Sequence, residues 1–301
     1  MCDNKVRILN FTEDNSIIWP RNNGSNECFR GGFGEVYDAK KLSKEKLEVI
    51  DVVVKYDMTQ DHELVKNEIE KLAKCQHKSV VKLLSLQKTK LGLHDKARMN
   101  SKGIVMEAAD LDLDMFLYEL TYSYQLSHIH SWMAQITDGL NFIHGLAIIH
   151  RDLKPANVLL FECGKISKIA DFGTACANTD GLDNYTGTPA WMAPEVMRGS
   201  YGEKCDIYSL AIILWQILTR KKPYPQYNND TVAVHVFEGL RPDTSEILPE
   251  FIQNETINLL NDMWDGDAPS RPSASDLNEF FDGLHRNTIQ GGFLKKCHNL
   301  G

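Results

Sequence analysis

His150-Arg151-Asp152-Leu153-Lys154-Pro155-Ala156-Asn157 is the stretch that decides how this chain of 301 residues is read. Within eight positions it brings an acid, an ammonium and a carboxamide together around a proline. Two further motifs follow in order. Asp171-Phe172-Gly173 begins 19 positions after Asp152, and Ala193-Pro194-Glu195 ends 24 positions after Asp171. Between the first two lie Val158-Leu159-Leu160-Phe161 and Lys168-Ile169-Ala170, two short strand signals bracketing a turn at Gly164. The first interval therefore suits a β-hairpin.

The first hundred residues carry β-branched runs at Val49-Ile50 with Val52-Val53-Val54, at Val80-Val81-Lys82-Leu83-Leu84, and at Gly103-Ile104-Val105-Met106. A stretch of good helix formers, His62 to Cys75, separates the first two. After about residue 110 the pattern turns helical. Ile129, Trp132, Met133, Ile136, Leu140 and Ile143 recur at steps of three and four, which predicts one long helix with Ser127 as its N-cap. The apolar run Ile207 to Leu218 is bounded by Asp206 and Arg220, is too short to span a bilayer, and reads as a buried helix. The tail from about His285 is polar and is expected to be loosely held. No internal repeat is present. Strand-rich first and helix-rich second predicts an α+β chain in two lobes with a crevice between them.

With 43% hydrophobic and 25% charged residues the chain is neither disordered, collagenous nor a disulfide miniprotein. Its formal charge of -8 opposes a nucleic-acid or anionic-membrane partner, which needs a basic face. The seven cysteines are scattered without a CxxC pair, so neither a disulfide framework nor a zinc site is expected. The opening Met1-Cys2-Asp3-Asn4 is no export signal, Gly is absent at position 2, and Cys297 stands one place too early for prenylation. Triplets such as Asn184-Tyr185-Thr186 are then never glycosylated. These features together predict a cytoplasmic protein without membrane insertion.

The three motifs in this order resemble the signature set of the eukaryotic protein kinases. The resemblance implies a bilobal protein-kinase fold, with a small β-rich N-terminal lobe and a larger, mostly helical C-terminal lobe. It implies an N-terminal extension over 1–18, a kinase domain over 19–284 (N-lobe 19–106, hinge 107–110, C-lobe 111–284) and a tail over 285–301. It further implies ATP and Mg²⁺. Phosphoryl transfer asks for positioning and charge neutralisation more than for covalent chemistry. Asp152 takes the place of the carboxylate that orients the acceptor hydroxyl and receives its proton. Asn157 and Asp171 supply hard oxygen ligands for the metal. Lys154 stands beside the transferred phosphate, as in the Ser/Thr-specific branch. Lys55, at the end of Val52-Val53-Val54-Lys55, matches the phosphate-gripping lysine. Its expected helix partner is Glu68, which shares a face with Leu64 and Leu72; Glu63 and Glu70 are the alternatives. Met106 and Glu107 with Ala109 match the gatekeeper and the adenine-binding hinge, and Leu159 completes the ATP-binding set. Asp110, Asp112 and Asp114 meet the ribose or form a solvated face. Asp206 braces the catalytic loop, Arg271 pairs with Glu195, and Thr188 touches Asp152 and Lys154.

Gly31, Gly34 and Val36 fit the glycine loop, but Phe29 holds the position of its first glycine. Val53 stands where relatives place alanine, with methyl groups that press on the adenine. These departures motivate a second reading, a pseudokinase scaffold that binds nucleotide weakly and regulates a partner. Asp171-Phe172-Gly173-Thr174-Ala175-Cys176, Gly187-Thr188-Pro189-Ala190-Trp191-Met192-Ala193-Pro194-Glu195 and Thr219-Arg220-Lys221-Lys222-Pro223 are similar to the MAP kinase kinase kinases of the tyrosine-kinase-like group. That likeness implies MAP kinase kinases as substrates and adaptor or activator proteins as partners. Arg151 implies a receptor for a phosphate on Thr179, Tyr185 or Thr186. Asp180 and Asp183 are either solvated loop acids or a partial stand-in for that phosphate.

Overall fold

The computed structural model describes residues 17–18, 28–31, 34–43, 48–56, 62–88, 102–178, 186–199 and 201–290. Thr179, Asp180, Asp183 and Tyr185 lie outside them. The chain divides into two compact units, one of residues 1–73 with 82–108 and one of 74–81 with 109–301.

The smaller unit is built on an antiparallel sheet of β1 (Ile17–Ile18), β2 (Cys28–Gly31), β3 (Gly34–Ser43), β4 (Glu48–Tyr56), β5 (Leu83–Lys88) and β6 (Lys102–Glu107), with α1 (His62–Lys74) after β4. The strand order is β1-β3-β4-β6-β5, and β2 also pairs with β3. Alternation along β3, β4 and β6 assigns the two faces of this sheet. Tyr37, Ala39, Val52, Val54, Tyr56 and Val105 form its core, with Ile17, Ile50 and Leu84 packed against it. The other parity carries Val36, Val53, Lys55, Ile104 and Met106, joined by the register Val36↔Lys55, Val53↔Met106 and Lys55↔Ile104.

In the larger unit β7 (Leu111–Asp112), β9 (Val158–Phe161) and β10 (Ile166–Ile169) form one small sheet, and β8 (Ile148–Ile149) pairs with β11 (Cys176–Ala177). Its helices are α2 (Leu113–Tyr118), α3 (Leu126–Gly145), α4 (Lys204–Thr219), α5 (Asn229–Phe237), α6 (Asn254–Met263) and α7 (Ala274–Gln290). The predicted stripe of α3, Ile129 to Ile143, is buried throughout. Helix α4 is buried on every side from Cys205 to Thr219, as its apolar run requires. Among the described residues no helix is long and apolar enough to cross a membrane.

Three local expectations are corrected. Gln125, not Ser127, is the N-cap of α3, because His128 Nδ1 accepts the Gln125 backbone N–H at 3.0 Å and closes the first turn from within. Val80 and Val81 precede β5. They join β10 instead, where Ile169 N–H donates to Ser79 C=O and Val81 N–H to Ile169 C=O, each at 2.9 Å. The tail is helical to Gln290, past the expected boundary at 284: Leu277 and Phe281 are buried at a four-residue step, and Thr288 Oγ1 lies 3.0 Å from His130 Nδ1.

Candidate active site

In the smaller unit Lys55 Nζ lies 2.7 Å from Glu68 Oε1, with both side chains almost wholly buried. The strand alternation that sends Val52 and Val54 into the core turns Lys55 to the opposite face, and the Glu68 position in mid-helix meets it. Such a pair fixes the ammonium where a flexible lysine stem alone would leave it free to rotate. Val36, Val53 and Met106 share that face, half-buried or buried. The β2–β3 hairpin keeps its register through Phe29↔Val36 to Gly31↔Gly34, so the bulkier residue at 29 does not unpair the strands. Glu107 ends β6, and its Oε1 accepts the Lys82 backbone N–H at 2.8 Å.

In the larger unit the loop between β8 and β9 carries Asp152, which is 3% exposed. Its Oδ2 accepts from Lys154 Nζ at 2.6 Å and from Asn157 Nδ2 at 3.2 Å. Its Oδ1 accepts from Thr188 Oγ1 at 2.7 Å, and Thr188 Oγ1 in turn accepts from Lys154 Nζ at 2.8 Å. Asp152, Lys154 and Thr188 thus close a three-membered ring of hydrogen bonds. Asn157 Nδ2 also donates to Asp152 C=O at 2.7 Å. Both bonds use the amino end of the carboxamide, which leaves Oδ1, the end a hard cation takes, as its open acceptor.

Asp171 follows β10 in the left-handed region, φ 64°, and Gly173 N–H reaches its Oδ1 at 3.4 Å. Ala170 ties this turn to the Asp152 loop from both sides. Its N–H donates to Asn157 C=O and its C=O accepts from His150 Nε2, each at 2.9 Å. With Nε2 donating, His150 Nδ1 is the acceptor that meets Asp152 N–H at 3.4 Å. Phe172, fully buried, packs edge-on against the His150 ring at 5.2 Å.

Beneath the loop sits Asp206 of α4, 0% exposed. Its Oδ2 accepts from His150 N–H and His144 Nε2, and its Oδ1 from Arg151 N–H, all at 2.9 Å. Burial pushes this carboxyl up, but the hydrogen bond from the His144 ring, electrostatic attraction to that ring and the His150 backbone N–H outweigh it, and the group stays below its ordinary value. Arg151 itself is left-handed, φ 68°, and its guanidinium donates to Thr174 C=O and Tyr201 Oη. Gly187, φ +122°, passes so close to Arg151 C=O that a Cβ there would meet it at 2.6 Å. Arg271 holds Glu195 bidentately at 2.6 and 2.8 Å.

A comparison with known families matches residues 27–280 to the protein kinase domain. This chain belongs to the protein kinase family. Human mitogen-activated protein kinase kinase kinase 7 is 33% identical over 290 residues, 92% of this chain and 43% of that protein. The Drosophila melanogaster protein of the same name is 34% identical over 216 residues, 69% of this kinase and 30% of its own length. Mitogen-activated protein kinase kinase kinase mom-4 of Caenorhabditis elegans is 34% identical over 219 residues, 68% and 37% of the two chains. This kinase spans less than half the length of these relatives. The likeness to MAP kinase kinase kinases read in its motifs is borne out.

The acids Asp110, Asp112 and Asp114 have structural partners. Asp110 Oδ2 accepts Cys163 N–H at 2.8 Å, Asp112 Oδ1 caps α2 by accepting Met115 N–H at 2.8 Å, and Asp114 pairs with Lys222 at 2.9 Å. Ala109, half-buried, precedes this run, and Leu159 is a half-buried position of β9 opposite Asp112. His144 escaped the sequence reading because it sits in an ordinary helical position. A polar residue on the buried side of the α3 stripe is its only signal.

Proposed function

We propose that this chain is an ATP- and Mg²⁺-dependent serine/threonine protein kinase that acts as a MAP kinase kinase kinase on MAP kinase kinases. The observation that carries the reading is the Asp152 carboxylate, buried yet hydrogen-bonded by Lys154, Asn157 and Thr188, in a chain whose relatives are named for that activity. A carboxylate in this setting orients the incoming Ser or Thr hydroxyl and takes up its proton. The Lys154 ammonium, 2.6 Å from it, balances the charge of the group in transit. Asn157 Oδ1 and the Asp171 carboxylate hold Mg²⁺, which when bound neutralises triphosphate charge. Lys55, braced by Glu68, grips the phosphates; Gly31, Gly34, Val36, Val53, Met106, Glu107, Ala109 and Leu159 receive the rest of the nucleotide.

The pseudokinase alternative has no support from the relatives, and every charged group the chemistry needs is retained. Cys163 and Cys205, outside any disulfide, fit a cytoplasmic location, with adaptor or activator proteins as further partners. The test is transfer of labelled phosphate from ATP·Mg²⁺ to a purified MAP kinase kinase. Transfer by the wild type that vanishes in Asp152→Asn supports the proposal. Transfer that persists in Asp152→Asn, or is absent from the wild type, removes it.

A further inference from the structure

Thr188, whose hydroxyl bridges Asp152 and Lys154, opens the turn Pro189–Trp191, and Trp191 N–H donates back to Thr188 C=O at 3.0 Å. Helix α4 grips Trp191 at two points. Ser209 Oγ donates to Trp191 C=O at 2.7 Å, and Trp191 Nε1–H donates to Gln216 Oε1 at 2.7 Å. Gln216 is 0% exposed. Its Nε2 donates to Tyr118 Oη at 2.7 Å, and Tyr118 O–H donates to Lys221 C=O at 2.8 Å. A chain of hydrogen bonds therefore runs from the end of α2 through α4 to the turn that aims Thr188 at Asp152.

Only a carboxamide fits the middle of this chain. Gln216 must accept from an indole N–H and donate to a phenol oxygen at once. A carboxylate there has no donor for Tyr118, and an apolar side chain leaves the indole N–H unpaired in a part-buried site, which costs more than the bond itself contributes. Partners satisfied at both ends make the arrangement rigid.

We infer that Gln216 is a positioning residue for phosphoryl transfer, holding Trp191 and through it Thr188 so that the Asp152 carboxylate faces the acceptor hydroxyl. The inference rests on the kinase reading above and adds to it a group that touches neither nucleotide nor acceptor. It predicts an effect on turnover with none on nucleotide binding.

The experiment is a double-mutant cycle on the full chain with Trp191→Phe, which removes the N–H and part of the indole while keeping an aromatic ring, and Gln216→Met, which keeps length and removes both polar ends. Phosphorylation of a purified MAP kinase kinase gives kcat and both KM values, and the stoichiometry of a bound ATP analogue counts folded sites. Each single variant is expected to lower kcat per folded site about tenfold, since small misplacements of reacting groups are costly. KM for ATP stays unchanged, and the double variant falls no further than either single one. Unchanged kcat, losses that multiply in the double variant, or losses that follow the count of folded sites each overturn the inference. If Gln216→Met does not fold, Trp191→Phe decides alone. A wild type that transfers to no acceptor overturns both readings; a wild type that transfers beside unaffected variants overturns this one only.

Discussion

Arg271→Met removes a guanidinium whose side chain is 0% exposed and which faces a Glu195 side chain 12% exposed. Two bonds to the carboxylate, at 2.6 and 2.8 Å, are lost with it. So are the bonds to Lys204 C=O and Asp265 C=O, each at 2.9 Å. Breaking a buried pair from one side costs about 3–5 kcal/mol, because the remaining charge stays buried without its partner. We expect about 4 kcal/mol, a large part of the roughly 5–15 kcal/mol that holds a typical domain. Equilibrium urea unfolding followed by tryptophan fluorescence reads it, since Trp132, Trp191, Trp215 and Trp264 all belong to the larger unit. With a slope of about 3 kcal/mol/M the midpoint falls by about 1 M. Glu195→Leu combined with Arg271→Met removes both charges together, and the pair is expected to cost less than the sum of the two single changes. A single-variant loss under about 1 kcal/mol, or costs that simply add, refutes the reasoning.

Gly187→Ala places a methyl group 2.6 Å from Arg151 C=O at a φ of +122°, so the Asp152 loop has to shift under strain; kcat is expected to fall about tenfold and the thermal midpoint to fall with it, and full activity at an unchanged midpoint would contradict the packing. The Asp206 carboxyl lies below its ordinary value in the folded chain, so the stability it contributes is complete above about pH 4 and is lost as pH falls through the lower, folded value. Urea midpoints at descending pH are therefore expected to drop more steeply below pH 4 for the wild type than for Asp206→Asn. Equal slopes would show that this group does not carry the effect.

The parts of the site that were legible in the sequence are those where one residue type serves one chemical need. Lys55 and Glu68 could be matched because a strand ending in lysine and an acid on the Leu72 side of a helix have few ways to meet. The Asp152 loop and the Asp171 turn were legible because a hairpin of set length separates them. What stayed hidden depends on partners far apart in the chain. Asp110, Asp112 and Asp114 look alike as a row of acids, and only the fold gives each its partner: Cys163, Met115 and Lys222. Gln216 sits inside the apolar run of α4, where a lone amide announces burial but not the indole it meets. The end of α7 was missed because its polar composition masked a stripe of Leu277, Phe281, Leu284 and Thr288 at helical steps.

Under the proposed function, Lys55, Asp152, Asn157 and Asp171 would serve one phosphoryl transfer in which binding and chemistry are separable. The most direct measurement is nucleotide affinity and turnover on a MAP kinase kinase, taken side by side for the wild type, Lys55→Met and Asp152→Asn. The proposed chemistry requires that Asp152→Asn binds ATP·Mg²⁺ as the wild type does and transfers nothing, whereas Lys55→Met loses turnover through the phosphate grip. A wild type that binds ATP·Mg²⁺ yet phosphorylates no serine or threonine would contradict it.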